Sequence, residues 1–271
     1  MISEITIGQY YTGDSLLHRM DPRMKFVLTF LLVVFVFACK SFFSLALVAM
    51  FTLVAILFSS VPLKMILRSI KPIVIIILFT AVLNIIYTTG GETYFKWRSI
   101  EITEKGINTA IFMAVRIILL VVISSLLTYT TTPTSLTDAI ERLLSPLSVF
   151  HIKVHTLAMM MTLALRFIPT LIEEIDRIMN AQKARGAELE TGGLIARSKA
   201  LVPVFIPLMV SSFRRAYELA FAMTCRCYTG GEGRTRMKQM KLRARDFLAL
   251  FTVIAVIAGI FVLNHFFEAV I

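Results

Sequence analysis

Two arginines with small neighbours are the residues of this chain best suited to binding another molecule. They lie in the segments "AQKARGAELETGG" and "AMTCRCYTGG". A guanidinium presents several N–H donors in a rigid fork, and small neighbours let the backbone of another protein approach closely. One such arginine could simply complement the dipole at a helix C-terminus, but the matched pair predicts two docking sites. The two triplets are Ala184, Arg185 and Gly186, and Cys225, Arg226 and Cys227.

Three further motifs resemble catalytic or metal sites, and each lacks part of the required chemistry. The segment "TGGEGRT" (229–235) has no Gly-Lys-Ser/Thr ending of a phosphate-binding loop. In "HIKVH", His151 and His155 lie one turn apart, without the glutamate of a zinc hydrolase or an evident third ligand. Cys225 and Cys227 could bind a soft metal only with more ligands than the neighbouring sequence offers. We predict no catalytic residue, no metal site and no cofactor bound by this chain.

Arg116 is the charged residue placed deepest in an apolar segment. Charges within a membrane are costly and usually have a purpose. Arg116 could line a substrate path, or it could hold helices together by bonding to backbone carbonyls and to Asn84. A secondary transporter normally places several polar groups near the middle of the membrane, and one arginine with one asparagine makes a sparse pathway. We therefore favour a structural role for both residues.

The composition is that of a membrane protein. The 271 residues are 57% hydrophobic and 17% charged, with a mean hydropathy of +0.80, and so little charge cannot cover a soluble domain of this size. The net charge of +11 favours basic cytoplasmic loops over a nucleic-acid partner. We predict an all-α, multi-pass protein in the lipid bilayer of the cell membrane.

Five apolar segments are predicted to cross the membrane. The run 26–60 would be about 50 Å long as one helix, against about 30 Å of hydrocarbon, so we divide it at Lys40. Lys and Arg are concentrated before the first span, in a loop at 61–72 and in the segment 131–246. This asymmetry predicts a cytoplasmic amino terminus and an external carboxyl terminus. The predicted spans lie near 24–39, 42–61, 72–88, 106–130 and 247–267.

Two long amphipathic helices are predicted between the fourth and fifth spans. They cover 151–186 and about 197–228, have apolar residues at helical spacing, and run into Gly186 and the pair Gly230–Gly231. We expect both to be too polar to cross the membrane, and therefore to lie in the cytoplasm. Three regions follow, namely 1–132 with four spans, 133–245 with the two long helices, and 246–271 with the last span.

Four segments carry a resemblance to a known family. They are "GQYYTGDSLLHRMDPRMK" (8–25), Arg116 followed by "TTP" (131–133), "RFIPTLIEEIDRIMNAQKARG" (166–186) and "PLMVSSFRRAYELAFAMTCRCYTGGEGRT" (207–235). With these segments the chain resembles the transmembrane T component of energy-coupling factor (ECF) transporters for vitamins and metals. The resemblance extends over nearly the whole chain.

The resemblance implies a non-catalytic scaffold. The two long helices would be coupling helices, and their Ala-Arg-Gly motifs would dock on two cytoplasmic ABC-type ATPase subunits that bind ATP and Mg²⁺. Ala184, Arg185 and Gly186 match the first motif, whereas Cys225 and Cys227 flank the arginine of the second. A membrane-embedded substrate-binding S component would be the further partner. The residues by themselves leave two alternatives open, a self-contained secondary transporter and a membrane enzyme.

Overall fold

The computed structural model describes residues 10–88, 90, 93–97, 100–150, 153–187, 193–230 and 240–267. These residues are largely helical, with short 3₁₀ turns at Lys71–Ile73 and Ser145–Phe150. The elements are α1 (Pro22–Ala38), α2 (Phe42–Ser59), α3 (Leu63–Ile70), α4 (Val74–Tyr87), β1 (Thr93–Trp97), β2 (Ile100–Thr103), α5 (Glu104–Thr130), α6 (Pro133–Leu144), α7 (Val154–Ala184), α8 (Leu194–Cys225) and α9 (Ala244–Phe266). The predicted all-α membrane fold is confirmed.

Five helical segments are long and apolar enough to cross a membrane by length and composition. They are Phe42–Ser59, Leu63–Tyr87, Glu104–Thr130, Val154–Ala184 and Ala244–Phe266. Four of them contain or match predicted spans. The predicted span 24–39 corresponds to α1, an apolar helix of 17 residues that rises about 25 Å.

The prediction that both long helices are too polar to span is wrong for α7 by this measure. Its most apolar stretch is less apolar than those of the other four segments, but it is long and apolar enough to cross a membrane. The charged residues that made α7 look too polar, Glu173 to Arg177 among them, lie in its second half. The first half of α7 is predominantly apolar.

Two connecting segments contain structure that was predicted as loop. The segment 61–72 contains α3, whose cations Lys64 and Arg68 lie one turn apart on the helix. The segment 89–105 contains β1 and β2, which pair antiparallel with Trp97 opposite Ile100. These elements shorten the connections on either side of α4.

The contacts divide the chain into two compact units. One unit comprises Gly8–Ala139 with Lys238–Ile271, and the other comprises Ile140–Met237. The core of the first unit is formed by α1, α2, α5 and α9. Its innermost side chains, such as Val36, Val48, Phe112 and Ile260, are fully buried.

Polar contacts between residues far apart in sequence join the helices of the first unit. Asp21 caps α1, and its backbone N–H donates to the buried carboxylate of Asp246 at the start of α9, at 3.0 Å. At the opposite end of these helices, the Asn264 side chain donates to the Ala38 carbonyl (2.8 Å) and accepts from the Lys40 N–H (3.1 Å). Buried backbone groups need such partners. These bonds therefore hold α1 and α9 together at both ends.

In the second unit, α7 and α8 pack antiparallel. Three contacts between the helices show this, because the residue numbers of the contacts increase along α7 while they decrease along α8. The Tyr228 hydroxyl donates to the Met159 sulfur (3.0 Å), Arg215 Nη2 donates to Glu174 Oε2 (2.5 Å), and Gln182 Nε2 donates to the Pro203 carbonyl (3.3 Å). From Met159 to Gln182, α7 rises by about 35 Å, so the pair is tied along most of its length.

Candidate functional site

The end of α7 is a fully hydrogen-bonded Schellman turn. Gly186 has a φ of +87°, the left-handed conformation that glycine adopts without a steric penalty. Its N–H donates to the Lys183 carbonyl at 3.0 Å, and the Ala187 N–H donates to the Gln182 carbonyl at 3.0 Å. Arg185, the C-cap residue, is thereby held on a rigid turn.

The end of α8 is the same turn built from different residues. The Cys227 N–H donates to the Thr224 carbonyl at 2.9 Å, and the Tyr228 N–H donates to the Met223 carbonyl at 3.0 Å. Arg226 is the C-cap, as Arg185 is on α7. Cys227 takes the left-handed position with a φ of +55°, which costs a residue with a Cβ about 1–2 kcal/mol.

Both arginine side chains point into open space. Arg185 and Arg226 are exposed, and within the described part of the chain neither guanidinium has a hydrogen bond or ion pair. The small neighbours Ala184, Cys225 and Cys227 are exposed as well, and nothing lies within 4 Å of the position that a Cβ on Gly186 would take. Among the described residues, nothing therefore blocks the approach of a partner backbone to either arginine.

The antiparallel pairing places the two arginines at opposite ends of the helix pair. Arg185 lies just beyond the contact between Gln182 and Pro203, and Arg226 lies just before the one between Tyr228 and Met159. The two sites are therefore separated by roughly the 35 Å rise of the paired helices. This spacing suits two separate partner molecules better than one binding site built from both arginines.

Gln182 has a role in this site that its sequence position did not reveal. Pro207 lies inside α8, and because it lacks an N–H, the Pro203 carbonyl has no helical donor. Gln182 Nε2 supplies a hydrogen bond to that carbonyl at 3.3 Å. The turn that carries Arg185 is therefore attached to α8 within one helical turn of the arginine. Only the three-dimensional pairing of the helices shows this contact.

The apolar side of α8 is largely uncovered. Two of its aromatic residues, Phe205 and Phe213, are 59% and 67% exposed, and Tyr217 and Phe221 are exposed as well. Large exposed apolar surfaces mark contacts with protein or membrane. The helices that carry the arginines thus also present an unpaired apolar surface.

Arg116 contacts a backbone carbonyl, one of the two kinds of contact expected for a structural role. Its Nη2 donates to the Cys39 carbonyl at 2.5 Å, and its guanidinium carbon lies 4.6 Å from the centre of the Phe112 ring. The expected contact with Asn84 is absent from the described bonds. Asn84 Nδ2 instead donates to the Thr80 carbonyl of its own helix at 2.8 Å. Arg116 thus holds the turn between α1 and α2 against α5.

The remaining motifs lie partly outside the described residues. His155 Nδ1 lies 3.0 Å from Glu141 Oε1, whereas His151 and most of "TGGEGRT" fall in ranges that the structure does not describe. Among the described residues, no cluster of three or more His, Cys, Asp or Glu could hold a metal ion. The prediction that this chain binds no metal and no cofactor remains a prediction.

Comparison with known proteins decides the family. The family model described as "Cobalt transport protein" (CbiQ) matches residues 13–237. The energy-coupling factor transporter transmembrane protein EcfT of Ruminiclostridium cellulolyticum is 47% identical over 267 residues, which cover 98% of this chain and 100% of the relative. The EcfT proteins of Clostridium kluyveri and Bacillus subtilis are 52% and 42% identical, over 92% and 97% of this chain and 93% and 100% of their own lengths. The chain belongs to this family.

Membership of the EcfT family fixes the broad role of the chain. It is the transmembrane component of an energy-coupling factor transporter, which is a complex with other subunits. Its apolar helices make it a multi-pass membrane protein. As an EcfT protein it is a non-catalytic subunit of that complex.

Proposed function

We propose that this chain transmits ATP-driven motion from two cytoplasmic ABC-type ATPase subunits to a membrane-embedded substrate-binding S component, in an importer of vitamins or other micronutrients. The observation that carries the proposal is the matched pair of helix ends, each holding an exposed arginine on the same hydrogen-bonded turn. In this proposal ATP and Mg²⁺ bind to the partner ATPases.

Docking would use the arginines as donors to groups on the ATPases. A guanidinium forms strong, directional hydrogen bonds with carboxylates and backbone carbonyls. Because the Schellman turns already satisfy the helix-end carbonyls, the backbone of each arginine is held in place before binding, and only the arginine side chain has to be ordered. The two sites would each bind one ATPase.

Transmission of motion needs helices that move together. The Arg215–Glu174 ion pair lies between the helix ends and is half-buried, with 32% and 18% of the two side chains exposed. Gln182 and Tyr228 join the pair near its ends. A displacement of either ATPase would therefore be passed to both helices, and through their apolar faces to a partner in the membrane.

The S component would bind to apolar surface that this chain leaves uncovered. Within the described structure α4 has no buried residue, although it is strongly apolar, and Ile75 and Phe79 are 76% and 63% exposed. The aromatic face of α8 is a second such surface. Lipid alone could cover α4, whereas a protein partner that must be moved needs contact with α7 or α8.

The orientation follows from the docking proposal and from the charge asymmetry of the sequence. In this proposal both arginine turns face the cytoplasm, so α7 does not cross the membrane although its length and composition would allow it, and the amino terminus, four spans away, is also inside. The native cysteines offer a direct test, because Cys225 and Cys227 are exposed and free, whereas Cys39 is buried. An impermeant maleimide should label the protein in inverted vesicles but not in intact cells. Labelling of Cys225 and Cys227 in intact cells would contradict the orientation.

The main test compares the isolated chain with the assembled complex. Reconstituted alone, the chain should neither hydrolyse ATP nor take up substrate under an ion gradient. When co-expressed with its ATPase and S partners, it should support uptake that depends on ATP. Uptake by the chain alone, driven by an ion gradient, would instead favour the secondary transporter, and nucleotide binding by the chain alone would contradict the scaffold role.

A further inference from the structure

A cavity in the first unit has no role in docking or transmission. It lies between α1, α2, α5 and α9, has a volume of about 440 Å³, and is lined mainly by apolar side chains, including Leu28, Leu32, Phe51, Ile123, Leu126 and Val253. This volume falls within the range of about 300–1,000 Å³ that ligand sites occupy. Exposed residues also line it, among them Phe58 and Leu248, so the cavity opens to the surface as a groove.

Two cations, Lys25 and Arg245, are the charged residues of this lining. Lys25 lies in the first turn of α1, is 6% exposed, and donates one hydrogen bond to the Thr130 carbonyl at 2.9 Å, which leaves two N–H groups of its ammonium. Arg245 lies in the first turn of α9 and is exposed, and no described residue is hydrogen-bonded to its guanidinium.

The acidic residues near these cations have other hydrogen-bond donors. Asp246 accepts the backbone N–H groups of Asp21 (3.0 Å) and Arg243 (2.7 Å). Asp14 is paired with Arg19, whose hydrogen bond lowers the pKa of the Asp14 carboxyl below its usual value. The cationic end of the groove therefore keeps hydrogen-bond donors available to an anion.

The dimensions of the groove match one leaflet of a bilayer. Its lining runs from Lys25 to Leu32 on α1 and from Arg245 to Val253 on α9, about 10–12 Å of helix. Half of a hydrocarbon core is about 15 Å thick. The cations lie where headgroups lie, at the membrane-surface ends of α1 and α9, and the apolar lining extends from them towards the membrane interior.

We propose that this groove binds an anionic phospholipid, with the headgroup phosphate on Lys25 and Arg245 and an acyl chain between α1, α2, α5 and α9. Charge and shape both favour this occupant over a neutral lipid or a free anion. A neutral lipid without a phosphate offers no anionic acceptor to the unused N–H groups of Lys25 and Arg245, and a free anion leaves the apolar groove unfilled. The lipid would brace the first and last helices of the chain against each other.

The test measures lipid retention by native mass spectrometry of the full chain. Phosphatidylglycerol and phosphatidylcholine with identical acyl chains are the probes, and inorganic phosphate is the competitor. We expect at least fivefold tighter retention of phosphatidylglycerol, since one cation near an anionic headgroup contributes about 1 kcal/mol. Phosphate at high concentration should not displace it. Equal retention of the two lipids, or displacement by phosphate, would overturn the proposal.

Two variants and a matched control locate the site. Arg245→Gln should remove most of the preference for phosphatidylglycerol, whereas Lys241→Gln, which removes the same charge from an exposed residue outside the groove, should leave it intact. Ala55→Phe, which fills the lined space, should lower retention of both lipids. Equal effects of Arg245→Gln and Lys241→Gln would show surface electrostatics alone. Loss of the lipid on assembly with the partner subunits would show that a protein occupies the groove, and would also overturn the proposal.

Discussion

The two long helices end in the same turn, but they place different residues at its left-handed position. On α7 that residue is Gly186, at φ +87°, and on α8 it is Cys227, at φ +55°. In both turns the two backbone hydrogen bonds are formed, and in both the C-cap residue is an exposed arginine. The arginine and the shape of the turn are thus common to both ends, whereas the ease of forming the turn differs. We infer that docking needs the turn itself more than it needs a glycine.

The largest effect is expected when both arginines are reversed. Arg185→Glu with Arg226→Glu should abolish co-purification of the ATPases and ATP-driven uptake, because removing one side of a hydrogen-bonded charge pair at an interface costs about 2–5 kcal/mol, and reversal adds repulsion. The matched control is Lys199→Glu with Arg214→Glu, which makes the same charge change on exposed residues of α8. Normal assembly and uptake in the arginine double variant would show that both residues only complement the helix dipoles and do not bind the ATPases.

The single reversals sharpen the comparison between the two ends. Arg185→Glu and Arg226→Glu should each weaken one ATPase contact by at least 30-fold, the lower limit of the same interface cost of about 2–5 kcal/mol, and leave the other unchanged. Quantitative mass spectrometry of the purified complex should then show a loss close to half of the ATPase. Complete loss in either single variant would show that the two contacts depend on each other, contrary to their separation along the helix pair.

Exchanging the residue at the left-handed position should have opposite effects at the two ends. Gly186→Ala should destabilise the α7 turn by about 1–2 kcal/mol, whereas Cys227→Gly should stabilise the α8 turn by a similar amount and Cys227→Ala should change it little. Hydrogen exchange of the amides at 186–187 and 227–228 measures the stability of each turn. A change of about 1.4 kcal/mol in the free energy of opening changes the exchange rate about tenfold. Similar exchange in Cys227→Gly and Cys227→Ala would show that size, and not backbone conformation, limits position 227.

The smallest effect is expected at Gln182. Gln182→Leu removes the donor to the Pro203 carbonyl, and because the bond is exposed we expect a loss of only about 0.5–1 kcal/mol. The loss should appear as faster exchange at the α7 turn, with the α8 turn unchanged. Asn180→Leu, at a nearby exposed position of α7, controls for added apolar surface. An equal change at both turns would mean that Gln182 acts on the whole helix pair.

The sequence alone predicted much of the fold, and the helix ends that it misplaced can be explained in physical terms. Lys40 marked the turn between α1 and α2 correctly, because a charge is costly within a long apolar run. The end of α7 was predicted at Gly186, since glycine is the usual left-handed residue. The end of α8 was placed at about 228, before Gly230, but the turn forms earlier, because Cys227 adopts the left-handed conformation that its residue type disfavours.

The candidate site was only partly predictable. The arginines and their small neighbours could be found because residue type and spacing suffice for them. Their separation depends on the antiparallel pairing of α7 and α8, and therefore on contacts such as Glu174–Arg215 that join residues far apart in sequence. The contact between Arg116 and the Cys39 carbonyl is of the same kind. Sequence predicted that this arginine would bond to a backbone carbonyl but could not say which one.

The polar turn between α1 and α2 has a consequence for the order in which the chain is made. The Cys39 carbonyl is bonded by Arg116 of α5, and the Ala38 carbonyl and the Lys40 N–H are bonded by Asn264 of α9. During synthesis the α1–α2 hairpin is made before α5 and α9, so these carbonyls and this N–H need other partners, such as water, until the later helices are in place. The bonds from Asn264 can form only after α9 has inserted. The native hydrogen bonding of the turn between α1 and α2 therefore depends on the insertion of α9.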